Sequence, residues 1–175
     1  MKHLPLILSA VLLGCAKSPP PPKPVATAEP TVVFPSAHEL PSDQVIAFEH
    51  MNVTLPPGWV KDKSNEVGMS FVDAPNHRLI LVAKNPCDLG YNKCMVSTIK
   101  SVKATGMNVL SATDVAINGS KFVLLTCHDN DANVFVWLSY DVKDKMLYLF
   151  ACGGDEKNKD NEAVCKTIAN TLKMD

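Results

Sequence analysis

The chain has 175 residues, 46% of them hydrophobic and 20% charged, with 17 lysines and arginines against 18 aspartates and glutamates. Its formal net charge of −1 and its single arginine, Arg78, leave no basic footprint for nucleic acid or another polyanion, because neutralising phosphates takes clustered Lys and Arg. Thirteen prolines and six cysteines are unevenly placed, and they divide the chain into three parts.

Residues 1–14 read as an export signal: Met1, Lys2 and His3 form a basic start, residues 4–13 an apolar segment, and small residues precede Cys15. A spanning helix needs roughly 20 apolar residues. This run is shorter, is broken by Pro5, and leads at once into polar, proline-rich chain. Leu12-Leu13-Gly14-Cys15 resembles the bacterial lipobox. The resemblance implies diacylation of the Cys15 sulfur, cleavage before that residue and acylation of the new amino terminus, so that Cys15 anchors the mature protein to a membrane. Each buried acyl CH₂ contributes about 0.8 kcal/mol, and two or more chains hold stably. Ala16, being other than aspartate, implies in the same scheme the outer membrane rather than the inner. The plainer alternative is an ordinary cleaved signal followed by an incidental cysteine.

Residues 15–43 hold eight of the thirteen prolines, at positions 19 to 22, 24, 30, 35 and 41. Successive prolines favour polyproline II, rising about 3.1 Å per residue, which makes this part a stiff tether. A ligand for a proline-recognising groove, at residues 19–24, is the competing reading.

Residues 44–175 are left as one globular domain, long enough to bury roughly two-thirds of its unfolded surface. A strand is expected over 51–60, interrupted by Pro56-Pro57-Gly58, with further strands at 68–72 and 77–83. Tyr91, Met95, Ile99 and Val102 recur at helical spacing, which predicts a helix over 91–105 ended by Gly106. Strands at 108–117 and 121–127 are joined by Asn118-Gly119, a dipeptide suited to the positive φ angles of a tight hairpin. Strands at 134–140 and 145–152 complete a meander, and a helix over 160–173 closes the chain with Cys165, Ile168 and Leu172 on its apolar stripe.

Five cysteines follow Cys15, and export to an oxidising compartment makes disulfides the default reading. Cys87 sits just after a strand and Cys94 begins a helix; Cys152 ends the last strand and Cys165 lies on the final helix. Proximity and strand ends select Cys87–Cys94 and Cys152–Cys165 among the pairings open to five cysteines, leaving Cys127 unpaired. In the chain-entropy model, loops of this size contribute about 2.5 to 3 kcal/mol each.

In Val134-Phe135-Val136-Trp137-Leu138-Ser139-Tyr140 and Met146-Leu147-Tyr148-Leu149-Phe150-Ala151-Cys152 both alternating faces are apolar, so both faces of the sheet have to be covered. The expected class is α+β: an antiparallel sheet of about seven strands between two helices. This order, with Val53-Thr54-Leu55-Pro56-Pro57-Gly58-Trp59 near its start and Ile168-Ala169-Asn170-Thr171-Leu172 at its end, resembles the PsbP-like α/β/α sandwich. That fold is shared by the extrinsic photosystem II protein, a nuclear-import factor that binds the Ran GTPase, and many small bacterial lipoproteins. The resemblance implies a protein-binding or scaffolding role, with no cofactor and no assigned site residues; together with the lipobox it makes another cell-envelope protein the expected partner.

Cys127-His128-Asp129 places a nucleophile, a base and an acid in sequence, but neighbours on an extended chain face opposite ways. A thiol-dependent enzyme or small hydrolase using Cys127 is the catalytic alternative, and a small-ligand carrier a third. Asp129, Asp131 and Asn133 imitate the start of a calcium loop, yet Val134 and Tyr140 stand where glycine and glutamate belong. His38 and His50 are placed in or near the tether and His77 in a turn, and no histidine pair has metal-ligand spacing, so no metal site is expected. Trp59 and Trp137 are assigned to the core.

Overall fold

The computed structural model describes residues 43–175. The signal, Cys15 and the tether up to residue 42 lie outside the described residues. The elements follow as β1 (Gln44–Phe48), β2 (Met51–Leu55), β3 (Val60–Asn65), β4 (Gly68–Asp73), a single helical turn (Ala74–Asn76), β5 (Arg78–Pro86), α1 (Tyr91–Ala104), β6 (Asn108–Ile117), β7 (Ser120–Asp129), β8 (Ala132–Asp141), β9 (Met146–Asp155), α2 (Asn161–Ala169) and β10 (Lys173–Met174). Seven strands form an antiparallel sheet in the order β3-β4-β5-β9-β8-β7-β6, and β1-β2-β10 form a second, three-stranded sheet. The class is therefore α+β, with a seven-stranded antiparallel sheet and two helices.

Alternation along the strands sorts the core by shape. Phe122, Phe135, Trp137, Tyr148 and Phe150 point to one face, where Cys165, Ile168 and Leu172 at α2 and Phe48, Val53 and Leu55 of the small sheet cover them. Leu81, Leu125, Val136, Leu138 and Leu149 point to the other, under Met95 and Val102 of α1. Trp137 packs against Phe150, its cross-strand partner, with ring centroids 5.5 Å apart. Local chemistry matches these paths: Gly106 leaves α1 at φ +95, and Asn118-Gly119 turn β6 into β7 at φ 49 and 82.

The structure departs from the sequence reading in four places. The strand expected over 51–60 is two strands in different sheets, because Pro56 and Pro57 cannot donate to a ladder. The second of them, β3, is an exposed edge strand whose Lys61, Asp62 and Lys63 lack apolar alternation. Residues 44–48, at the start of the expected domain and given no element there, are strand β1, and His50 sits in the β1–β2 turn. The final helix stops at Ala169: Thr171 N–H and Leu172 N–H donate three residues back, Thr171 Oγ1 accepts from Thr54 N–H at 2.8 Å, and Lys173 pairs with Asn52 as β10. Trp59 is buried but lies between strands.

Cys87 is bonded to Cys94, tying the end of β5 to the first turn of α1, and Cys152 to Cys165, stapling β9 to α2. Cys127 is the free cysteine among the described residues. At the end of β9, Gly154 lets α2 approach the sheet: a Cβ there would meet Asn161 Oδ1 at 2.9 Å, His77 O at 3.0 Å and Arg78 Cγ at 3.1 Å. Gly154→Ala therefore has to displace the start of α2, and equilibrium urea unfolding is expected to show a loss of about 1–3 kcal/mol; a variant as stable as wild type would mean that this approach is looser than described.

Candidate functional site

The strands run between two ends of the molecule, and the polar chemistry gathers at both. At one end the buried Arg78 donates from Nη1 to Asp73 Oδ2 at 3.0 Å and from Nη2 to Asp160 Oδ1 at 2.6 Å. Asn76 Nδ2 donates to the same Asp73 carboxylate, and Asn161, also buried, donates to Asn133 O and Gly154 O at 3.3 and 3.4 Å. A buried guanidinium left without carboxylates is costly, so this set locks the β4–β5 turn to the start of α2.

Cys127, His128 and Asp129 are close to the same end, and the fold separates them. Cys127 is fully buried in the aliphatic layer, and burial pushes its thiol up from 9.0 to about 11. A thiol held protonated is a poor nucleophile. His128 Nε2 lies 3.0 Å from Glu156 Oε2, and Asp129 Oδ1 accepts from Asn130 Nδ2 at 3.0 Å. The three side chains thus have three separate surroundings. Asp131 sits in the β7–β8 hairpin turn, which Asn130 enters at φ 49.

At the opposite end the disulfide-bridged loop, the start of α1 and the β8–β9 turn converge. Cys87 N–H donates to Lys145 O at 2.8 Å, the Tyr140 hydroxyl donates to Cys87 O at 3.1 Å, and Lys145 Nζ lies 3.5 Å from Asp88 Oδ1. The disulfide-bridged loop and the start of α1 are thereby held against the β8–β9 turn, with Tyr91 edge-on to Tyr140 at 6.3 Å. Leu89, 60% exposed, Tyr91, 43%, and Val142, 75%, are apolar side chains that stand open beside this contact.

Beside them is an acidic cluster of a different make-up. The β1–β2 turn, entered by Glu49 at φ 52, brings His50 Nε2 to 3.1 Å from Asp144 Oδ2, and Asp141 completes a trio whose ligand atoms all lie within 4.8 Å of one another. Asp141 Oδ1 accepts from Lys143 N–H at 2.7 Å and Asp144 N–H at 3.3 Å, which fixes the carboxylate at the turn. Tyr148, 1% exposed, has its ring centroid 6.1 Å from that of His50 and its hydroxyl 3.5 Å from Glu49 Oε2. Burial pushes its phenol up to about 12, and the charges of Glu49, Asp141 and Asp144 push the same way. Lys84 pairs with Glu49. No spacing in the sequence signals this group, since His50 and Asp141 lie on hairpins of different sheets.

No family model matches the chain, and no curated protein matches it. Solved structures do. A point mutant of the protein Mog1 superposes with a TM-score of 0.54 at 8% identity, covering 76% of this chain and 96% of that one. The Saccharomyces cerevisiae Ran-binding protein Mog1p gives 0.53 at 8% identity, covering 79% and 96%. The described domain shares the fold of Mog1. A Bacteroides thetaiotaomicron structure matches more weakly, with a TM-score of 0.47 at 13% identity over 72% of this chain and 45% of its own.

The buried thiol has a measurable consequence. The unfolded chain releases the Cys127 proton near 9 and the fold retains it to about 11. The contribution is therefore complete below about 9 and lost as pH rises toward 11. Tyr148 acts in the same direction at higher pH. Urea unfolding of wild type and Cys127→Ala, each at pH about 8 and about 10.5, should show a steeper alkaline loss in wild type, by on the order of 2 kcal/mol; equal slopes would place the thiol in a wetter site.

Proposed function

We propose that this chain is a lipid-anchored, extracytoplasmic, non-catalytic protein-binding module of the bacterial cell envelope. Cys15 carries the acyl chains, the proline-rich segment spaces the domain from the outer membrane, and a PsbP-like sandwich meets the partner. The observation that carries the binding role is the fold shared with the Ran-binding protein Mog1p across 96% of that chain. Because fold alone does not name a function, the choice rests on what the surface offers with it. Leu89, Tyr91 and Val142 place exposed apolar area beside charged Asp88, Asp144 and Lys145, a composition suited to an interface with an apolar centre and a polar rim.

Two further features support the reading. The Cys87–Cys94 and Cys152–Cys165 bonds fit an oxidising compartment outside the cytoplasm. The burial of Cys127 and its separation from His128 count against the thiol-enzyme alternative.

Photo-crosslinking in the intact envelope tests the role and its location together. A photoreactive residue at 89, 91 or 142 should trap one and the same envelope protein, whereas Leu110, which is exposed on edge strand β6 toward the other end of the sheet, should trap none. Adducts that do not differ between the two sets, or none from either, would contradict the assignment.

A further inference from the structure

We infer that His50, Asp141 and Asp144 form a binding site for a divalent transition-metal cation of the zinc class, clamping the three-stranded sheet to the β8–β9 hairpin. This goes beyond the protein-binding role and does not depend on it. Among the described residues this is the one trio of His, Asp or Glu side chains with ligand atoms all within 4.8 Å of one another. The donor set is one imidazole nitrogen and two carboxylates. Imidazole favours Zn²⁺, Ni²⁺ and Cu²⁺ over Mg²⁺ and Ca²⁺, which prefer all-oxygen cages.

The geometry is close to what such an ion requires. Ligands about 2.0–2.2 Å from a tetrahedral Zn²⁺ stand roughly 3.4 Å apart, and His50 Nε2 is already 3.1 Å from Asp144 Oδ2. Asp141 has to close by no more than about 1.4 Å from the 4.8 Å limit. Two backbone N–H groups donate to its Oδ1, which holds the carboxylate at the turn. His50 is oriented by the edge-on Tyr148 ring, while its backbone carbonyl accepts from Asp175 N–H at 2.8 Å. Ligands thus sit on two turns that are themselves fixed, the preorganisation that metal sites need.

Asp141 and Asp144 bring two carboxylates to one turn, and a divalent ion between them would offset their charge. Three protein ligands leave a fourth position for water or for a carboxylate of a bound protein.

Isothermal titration of the oxidised domain with ZnCl₂, followed by thermal unfolding, is the test. One equivalent is expected to bind and raise the melting temperature. His50→Gln and Asp144→Asn should each weaken binding at least tenfold, and His128→Gln should leave it unchanged. Both ligand residues are about half exposed, so the variants should fold, and circular dichroism checks that they do. MgCl₂ and CaCl₂ at the same concentration should compete poorly. Zinc binding that survives His50→Gln, that is lost with His128→Gln, or that does not occur at micromolar concentrations would overturn the site.

Discussion

A sheet that is apolar on both faces cannot be left open on either, and most of this fold follows from covering it. Strands β5, β8 and β9 place large side chains alternately up and down, and fully burying each one is worth about 1.5–3 kcal/mol. The two layers are solved differently. The aliphatic face needs only α1, whose Met95 and Val102 lie in the stripe over it. The other face carries Phe122, Phe135, Trp137, Tyr148 and Phe150, and α2, at nine residues, covers only part of it. The small sheet supplies the rest, with Phe48, Met51, Val53 and Leu55. That division explains why the disulfide to the sheet is on α2: Cys152–Cys165 anchors the shorter helix to the central strand it has to cover.

The same arrangement positions both polar ends. Bringing the start of α2 onto the sheet requires Gly154 and places Asp160 and Asn161 against Arg78. Bringing the small sheet onto the aromatic face swings the β1–β2 turn over the β8–β9 turn, where His50 meets Asp144. One end is thus closed around a buried cation, and the other presents open apolar side chains next to carboxylates.

What the sequence made legible was local. The spacing of Tyr91, Met95, Ile99 and Val102 marks α1 because helix periodicity is written in adjacent turns, and Asn118-Gly119 marks its hairpin because few residues accept those φ angles. The cysteine pairs were legible for the same reason: each closes a short loop between neighbouring elements. Strand β3 was hidden because an edge strand has no second ladder to satisfy and tolerates Lys61-Asp62-Lys63. Strand β1 was hidden by its short length beside a proline tract. The shortening of α2 depends on Thr171 bonding to Thr54, and the His50 trio on two hairpins meeting, so both belong to tertiary contacts between distant segments that no window of sequence contains.

In the proposed tethered and oxidised protein, the one free thiol among the described residues, Cys127, is sealed in the core. Intact-mass analysis of the protein extracted from bacterial membranes reads all of it at once, with alkylation before and after denaturation. A chain beginning at acylated Cys15, inert to alkylation when native and taking up one alkyl group when unfolded without reductant, is the predicted result. An unacylated chain, or one in which five cysteines alkylate without reduction, would contradict it.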